Sequence, residues 1–225
     1  MEYSETIPIQ YEEGKAAFLG MDIKVDPRVL IPRPETELLV SVAAELCEKA
    51  GLSRPRILEV GTGSGVIPAG LVKLMADCRV TGADISLDAL EVAKINIKSL
   101  GIEENVDLVV SDMFRAFDGG YIGAFDCIVS NPPYVSEKDY AEVDAWVKAE
   151  PEVALLSGKE GMDHLEIIAA ESGRYLKSGG FTAVEIGYDQ ADKVKEAFIK
   201  NGFSDVKSFR DINGYERVIT GYANG

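Results

Sequence analysis

A seven-residue run, Glu59-Val60-Gly61-Thr62-Gly63-Ser64-Gly65, joins a short apolar stretch at 56–60 to a helical pattern at 68–76. Glycine at alternate positions lets the backbone turn sharply and lets a ligand approach it closely. The helix that follows offers free N–H groups at its start. Strand, glycine turn and helix in succession commit the chain to an α/β plan, because parallel neighbours need a helical crossover. The alternation continues. Strands are read at 56–60, 79–84, 106–110, 125–130 and 181–186, and helices at 68–76, 87–100, 164–177 and 189–201. Two further strands, 206–209 and 216–222, flank Asn213-Gly214 and read as a hairpin. The fold class expected is α/β: a doubly wound, mainly parallel seven-stranded sheet with a final antiparallel hairpin.

The segment before this core differs. Residues 18–25 read as a small β-hairpin with a glycine turn. Ile31-Pro32-Arg33-Pro34 cannot lie inside a helix, and Pro34 opens a helix over 35–50, with Glu35 and Glu37 in its first turn. This divides the chain into an arm with a hairpin, 1–33, and a larger domain, 34–225. No apolar run nears the roughly 18–20 residues that span a bilayer, and Met1-Glu2-Tyr3-Ser4-Glu5 lacks a signal-peptide pattern. A cytoplasmic protein that does not enter a membrane is expected. Cys47, Cys78 and Cys127 lie far apart in apolar surroundings and read as core residues. His164 is the only histidine, so no histidine-rich metal site is expected. The net charge of −15 leaves no Lys/Arg-rich segment to neutralise phosphates. The acceptor expected is a protein or small molecule, with no direct contact to nucleic acid.

The glycine run departs from two nucleotide-binding patterns. Val66 stands where the dinucleotide fingerprint needs glycine or alanine, and no Gly-Lys-Ser/Thr follows for a phosphate loop. An acid followed by Gly-x-Gly-x-Gly is the pattern of S-adenosylmethionine methyltransferases. That assigns Gly61, Thr62, Gly63, Ser64 and Gly65 to the cofactor. Asp84 ends the second strand 23 positions after Gly61 (84 − 61), where a carboxylate can accept both hydroxyls of a ribose. Its other reading is a helix cap, a role Ser86 can fill. Asp112 and Met113 follow the third strand and suit an adenine, one as acceptor for its amino group and the other as apolar cover.

Ser130-Asn131-Pro132-Pro133-Tyr134 follows the fourth strand, at the edge where open α/β sheets bind ligands. Two prolines stiffen this corner. The Asn131 side-chain oxygen and the Pro132 carbonyl can each accept a proton from one –NH2 group, and Tyr134 can stack on the planar group that bears it. Such a cradle suits adenine amino groups and carboxamides. An ordinary rigid turn is the other reading of Asn-Pro alone; the glycine run and Asp84 upstream favour the catalytic one. A sulfonium is already an activated methyl donor, so positioning carries most of the catalysis and no histidine base is needed. Asn131, Pro132 and Tyr134 are the catalytic candidates.

These blocks together resemble the HemK/PrmC-type protein-(glutamine-N5) methyltransferases. The resemblance extends through Pro8-Ile9-Gln10-Tyr11, Phe18-Leu19-Gly20, the run from Val29 to Glu37, Glu150-Pro151-Glu152-Val153-Ala154-Leu155 and Gly161-Met162-Asp163. It implies a Rossmann-like methyltransferase sheet, S-adenosyl-L-methionine as cofactor, and the glutamine of a Gly-Gly-Gln loop in a peptide-chain release factor as target. Carried over by position, Gly61 to Gly65, Asp84, Met113 and Asn131 line the cofactor. Asn131, Pro132, Pro133 and Tyr134 grip the glutamine amide. Arg33, with Thr36, shapes the pocket, a helix-start role being the alternative, and 135–161 forms a substrate-facing rim. Typical bacterial members carry a helical domain before the strand pair, which this chain is expected to lack. Two other readings stay open: an adenine-N6 methyltransferase acting on DNA or RNA, and a non-catalytic partner subunit with the same fold.

Overall fold

A computed structural model describes residues 7–224; the opening residues read above for a signal peptide lie outside them. A short helix α1 (Ile9–Glu13) leads into a two-stranded antiparallel sheet of β1 (Lys15–Phe18) and β2 (Met21–Lys24). Leu19 and Gly20 make its turn, both at positive φ. Then follow α2 (Pro34–Lys49), β3 (Arg56–Val60), α3 (Val66–Leu74), β4 (Arg79–Asp84), α4 (Leu87–Ser99), β5 (Val106–Val110) and β6 (Phe125–Ser130). The chain closes with α5 (Glu137–Glu142), α6 (Asp163–Glu171), β7 (Leu176–Glu185), α7 (Ala191–Lys200), β8 (Phe203–Arg210) and β9 (Glu216–Ala223).

The main sheet has seven strands in the order β5-β4-β3-β6-β7-β9-β8. All pairs up to β7 are parallel, and β9 lies antiparallel between β7 and β8. The strand order reverses between β3 and β6, which opens a crevice at their C-terminal ends. Side-chain alternation divides the core in two. Ile57, Cys127, Val129 and Ala183 face α2, α3 and the arm, whereas Leu58, Ile128 and Val184 face α6 and α7. All three cysteines are buried in the first of these clusters. Among the described residues no helix is long and apolar enough to cross a membrane.

The sequence expectations for the helices differ from the structure at two places. α3 begins two residues before the expected 68, because Gly65 adopts a left-handed conformation and starts the helix at once. Pro68 then falls in the first turn, where its missing N–H is not needed. The helix expected over 164–177 stops at Glu171, and β7 begins at Leu176 rather than 181. Tertiary packing ends it: the Tyr175 ring stacks on Phe114 at 5.1 Å, and Leu176 pairs with Phe125. α1 and α5 escaped the pattern because five or six residues are too few for a helical period to show.

The arm packs firmly. Phe18, Ile23, Val25 and Ile31 share a cluster with α2 and α3. Asn96 of α4 binds Lys24 through both backbone groups, at 2.8 and 3.0 Å, and donates to the Ser64 carbonyl at 2.8 Å. One buried amide thus ties the hairpin to the glycine loop.

Candidate active site

A cavity opens over the C-terminal ends of β3, β4, β5 and β6. The glycine loop supplies Gly61, Thr62, Gly63 and Ser64; Asp84 comes from β4, and Asp112 and Met113 follow β5. Asn131 and Pro133 enter from β6, while Arg33 and Thr36 enter from the arm and α2. The sequence places these residues 98 positions apart (131 − 33), and the fold brings them to one wall. Gly65, Pro132 and Tyr134 are not among the lining residues, although Pro132 and Tyr134 flank Pro133, which is.

The loop needs its glycines for stated reasons. Gly61, Gly63 and Gly65 have φ of 81°, 53° and 80°, where a β-carbon is strained. A β-carbon on Gly65 would also lie 3.3 Å from that of Ala93, so this glycine seats α3 against α4. Asp84 accepts the Gly63 N–H on Oδ2 at 2.8 Å and the Ser86 N–H on Oδ1 at 2.9 Å. Each carboxylate oxygen keeps a further lone pair for a ligand hydroxyl. Ser86 meanwhile caps α4 through Ala89 N–H, which frees Asp84 from that duty. Met113 holds a left-handed backbone at φ 49°, rare for a side chain of its size. Its carbonyl accepts the Ser111 hydroxyl at 2.8 Å.

In the sequence Glu59 is only the acid before the glycines; the structure gives it a larger part. It is completely buried and lines the cavity. Thr62 donates to its Oε2, while Oε1 has no hydrogen-bond partner. Burial pushes its carboxyl well above the usual range. A buried carboxylate oxygen without a donor is costly, and a cationic ligand group would relieve it.

Behind Asn131 lies a second buried acid that the strand reading did not single out. Glu185 ends β7. Thr36 Oγ1 donates to Glu185 Oε2 at 2.7 Å, and the Tyr134 hydroxyl donates to Oε1 at 3.3 Å. Asn131 Nδ2 in turn donates to Thr36 Oγ1 at 3.0 Å. Burial pushes the Glu185 carboxyl up to about 7 and holds the Tyr134 phenol protonated far above neutrality. The sequence signal for Glu185 was one acid in an otherwise apolar strand.

The rim is tied at both ends. Val135 N–H donates to Leu155 O and Ser157 N–H to Val135 O, each at 2.9 Å. Arg33 reaches across to Glu150 Oε1 at 2.8 Å and stacks on the Trp146 ring at 5.6 Å. Gln190 donates to the carbonyls of Tyr134 and Gly161, both at 3.0 Å. His164, absent from the expected site, lines the cavity as well. Ser157 Oγ accepts the His164 backbone N–H at 3.1 Å and lies 2.8 Å from its Nδ1. Burial lowers the imidazole pKa, which favours the neutral ring.

Comparison with known proteins gives a consistent picture. Residues 34–154 match the model of the methyltransferase small domain. The chain is 42% identical over 215 residues to a release factor glutamine methyltransferase of Koribacter versatilis, covering 95% of this chain and 74% of that one. Its counterpart in Chlorobaculum tepidum is 40% identical over 218 residues, with 95% and 74% covered. Among solved structures, a release factor-specific protein-(glutamine-N5) methyltransferase from Alicyclobacillus acidocaldarius superimposes with a TM-score of 0.53. It is 27% identical, and the match covers 90% of this chain and all of that one.

Proposed function

Because this chain belongs to the release factor glutamine methyltransferase family, we propose that its acceptor is the side-chain amide of the glutamine in a release factor's Gly-Gly-Gln loop. The chain is a methyltransferase that uses S-adenosyl-L-methionine. When bound, the cofactor supplies a methyl group on a positively charged sulfur.

The cavity residues fit that molecule. Glu59 Oε1, buried and without a partner, suits the ammonium of its methionine end. Asp84 accepts the ribose hydroxyls, and Asp112 and Met113 frame the adenine beside the imidazole of His164. Gly61, Thr62, Gly63, Ser64 and Gly65 let the backbone pass close to the methionine portion.

At the acceptor side, Asn131 Oδ1 and the Pro132 carbonyl each take one proton of the glutamine –NH2. Pro133 holds the corner rigid, and Tyr134 sits beside the planar amide. Arg33 shapes the wall next to them, anchored to Glu150. Amide nitrogen is a poor nucleophile because its lone pair is delocalised; two acceptors that bind its protons raise its electron density as positive charge develops. The rim at 135–161 receives the release-factor loop.

The observation that carries this reading is the Asn131 corner opening into the same cavity as Asp84 and Glu59. A charge of −15 favours a protein acceptor over nucleic acid. The test is transfer of labelled methyl to purified release factor, with the loop glutamine replaced as control. Label on the wild-type factor and none on the variant is the expected result. Equal labelling of both, or labelling of duplex DNA instead, overturns it.

A further inference from the structure

Three separate parts of the chain meet behind the Asn131 corner: the first turn of α2, the end of β7 and the loop after β6. A hydroxyl has a single proton to give. Thr36 spends that proton on Glu185 Oε2, so only its lone pairs face Asn131. Lone pairs accept from an N–H and never from a carbonyl. The Asn131 amide must therefore turn Nδ2 towards Thr36, as observed, and keep Oδ1 for another partner. Tyr134 brings a second O–H to the other Glu185 oxygen, so both oxygens act as acceptors. Thr36 is 2% exposed and Glu185 is 1% exposed, so water cannot take either place.

We propose that Glu185 is a positioning residue for methyl transfer: its ionised carboxylate, acting through Thr36, sets the Asn131 amide with its oxygen towards the acceptor –NH2. The inference rests on the proposed grip of an amide –NH2 by Asn131. It explains why a buried acid stands at the end of β7, where an apolar side chain would cost less. The logic reverses on protonation. A neutral Glu185 can donate to Thr36, whose own proton then points at Asn131 and calls for Oδ1 there. The amide turns over and presents N–H groups to an acceptor that also carries N–H groups. The groups packed around the acid set the pH at which this happens. Burial and Glu35 of α2 raise its pKa, Thr36, Tyr134 and Arg217 of β9 lower it, and the balance stands at about 7.

The experiment compares wild type with Glu185→Gln, Thr36→Val and Thr36→Ser. Steady-state methyl transfer to release factor is followed across the neutral pH range, together with the 1H–15N signals of the Asn131 side-chain amide. Wild type should lose kcat as pH falls through about 7. Glu185→Gln should lower kcat about 100-fold with KM little changed, the cost of a misplaced reacting group. It should also flatten the acid limb and shift the Asn131 amide signals. Thr36→Val should do the same, and Thr36→Ser, which keeps the hydroxyl, should retain most of kcat. If Glu185→Gln fails to fold, Thr36→Val alone decides. Unchanged Asn131 amide signals in a folded variant overturn the proposal. Should wild type methylate no release factor, the functional reading falls instead, and the amide signals still decide this inference.

Discussion

Replacement of Gly161 by alanine tests how the rim holds the catalytic corner. Gly161 has φ of 73°, and a β-carbon built there would stand 2.3 Å from the Tyr134 carbonyl oxygen and 2.8 Å from Gln190 Nε2. The left-handed backbone alone costs an alanine roughly 1–2 kcal/mol. Overpacking adds about 1–3 kcal/mol, because the nearest obstacle is backbone and cannot swing aside. The sum is about 2–5 kcal/mol, and at about 3 °C per kcal/mol for a chain of this size the midpoint falls by roughly 10 °C. Gly202→Ala provides the control: its φ is 87°, but nothing lies within 4 Å of the added carbon. That variant should lose only about 1–2 kcal/mol. The assay is thermal unfolding of both variants by circular dichroism, paired with kcat on the more conservative background temperature where both are folded. Gly161→Ala should also lose kcat, since Gln190 ties Gly161 to Tyr134 and the clash displaces the loop that carries Asn131. If the two variants melt together and Gly161→Ala keeps its kcat, the rim does not hold the corner and the reasoning fails.

Asn131→Ala should abolish measurable methyl transfer while calorimetry still detects S-adenosylhomocysteine; comparable turnover would remove Asn131 from the mechanism. Asp84→Asn should weaken S-adenosylhomocysteine about 10- to 100-fold, because hydrogen bonds to a charged group contribute about 1.5–3 kcal/mol; an unchanged Kd would place the ribose elsewhere. The three thiols should resist a water-soluble disulfide reagent in the native protein and react together on denaturation, since all are buried and burial raises the pKa of Cys78 to about 11. Glu185 carries a raised carboxyl pKa, about 7 against 4.5 in an unfolded chain. Its contribution to stability is therefore complete below pH 4.5 and is lost as pH rises through 7, about 3 kcal/mol in all. Denaturant unfolding of wild type across that window should decline more steeply than that of Glu185→Gln, and equal slopes would contradict it.

Local chemistry alone made much of this protein legible. The glycine run, Asp84 at its fixed distance and the Asn-Pro-Pro-Tyr corner are short-range devices, whose backbone demands appear in consecutive residues. The strand at 125–130 is readable from Cys127-Ile128-Val129, because a parallel strand buried on both faces carries consecutive apolar residues. The hairpin at Asn213-Gly214 declared itself through its turn. What stayed hidden depends on contacts between distant parts of the chain. The helix expected to reach 177 ends at Glu171, and Tyr175 and Leu176 are taken up by Phe114 and Phe125, 61 (175 − 114) and 51 (176 − 125) residues away. Glu185 looked like one acid in a strand until the fold set it 2.7 Å from a threonine 149 positions earlier. Arg33 and Glu150 met across 117 positions in the same way. A sequence pattern records what each residue asks of its neighbours along the chain. Which acid meets which hydroxyl is set by the strand order and helix packing that close the cavity, and only the folded chain contains that distance.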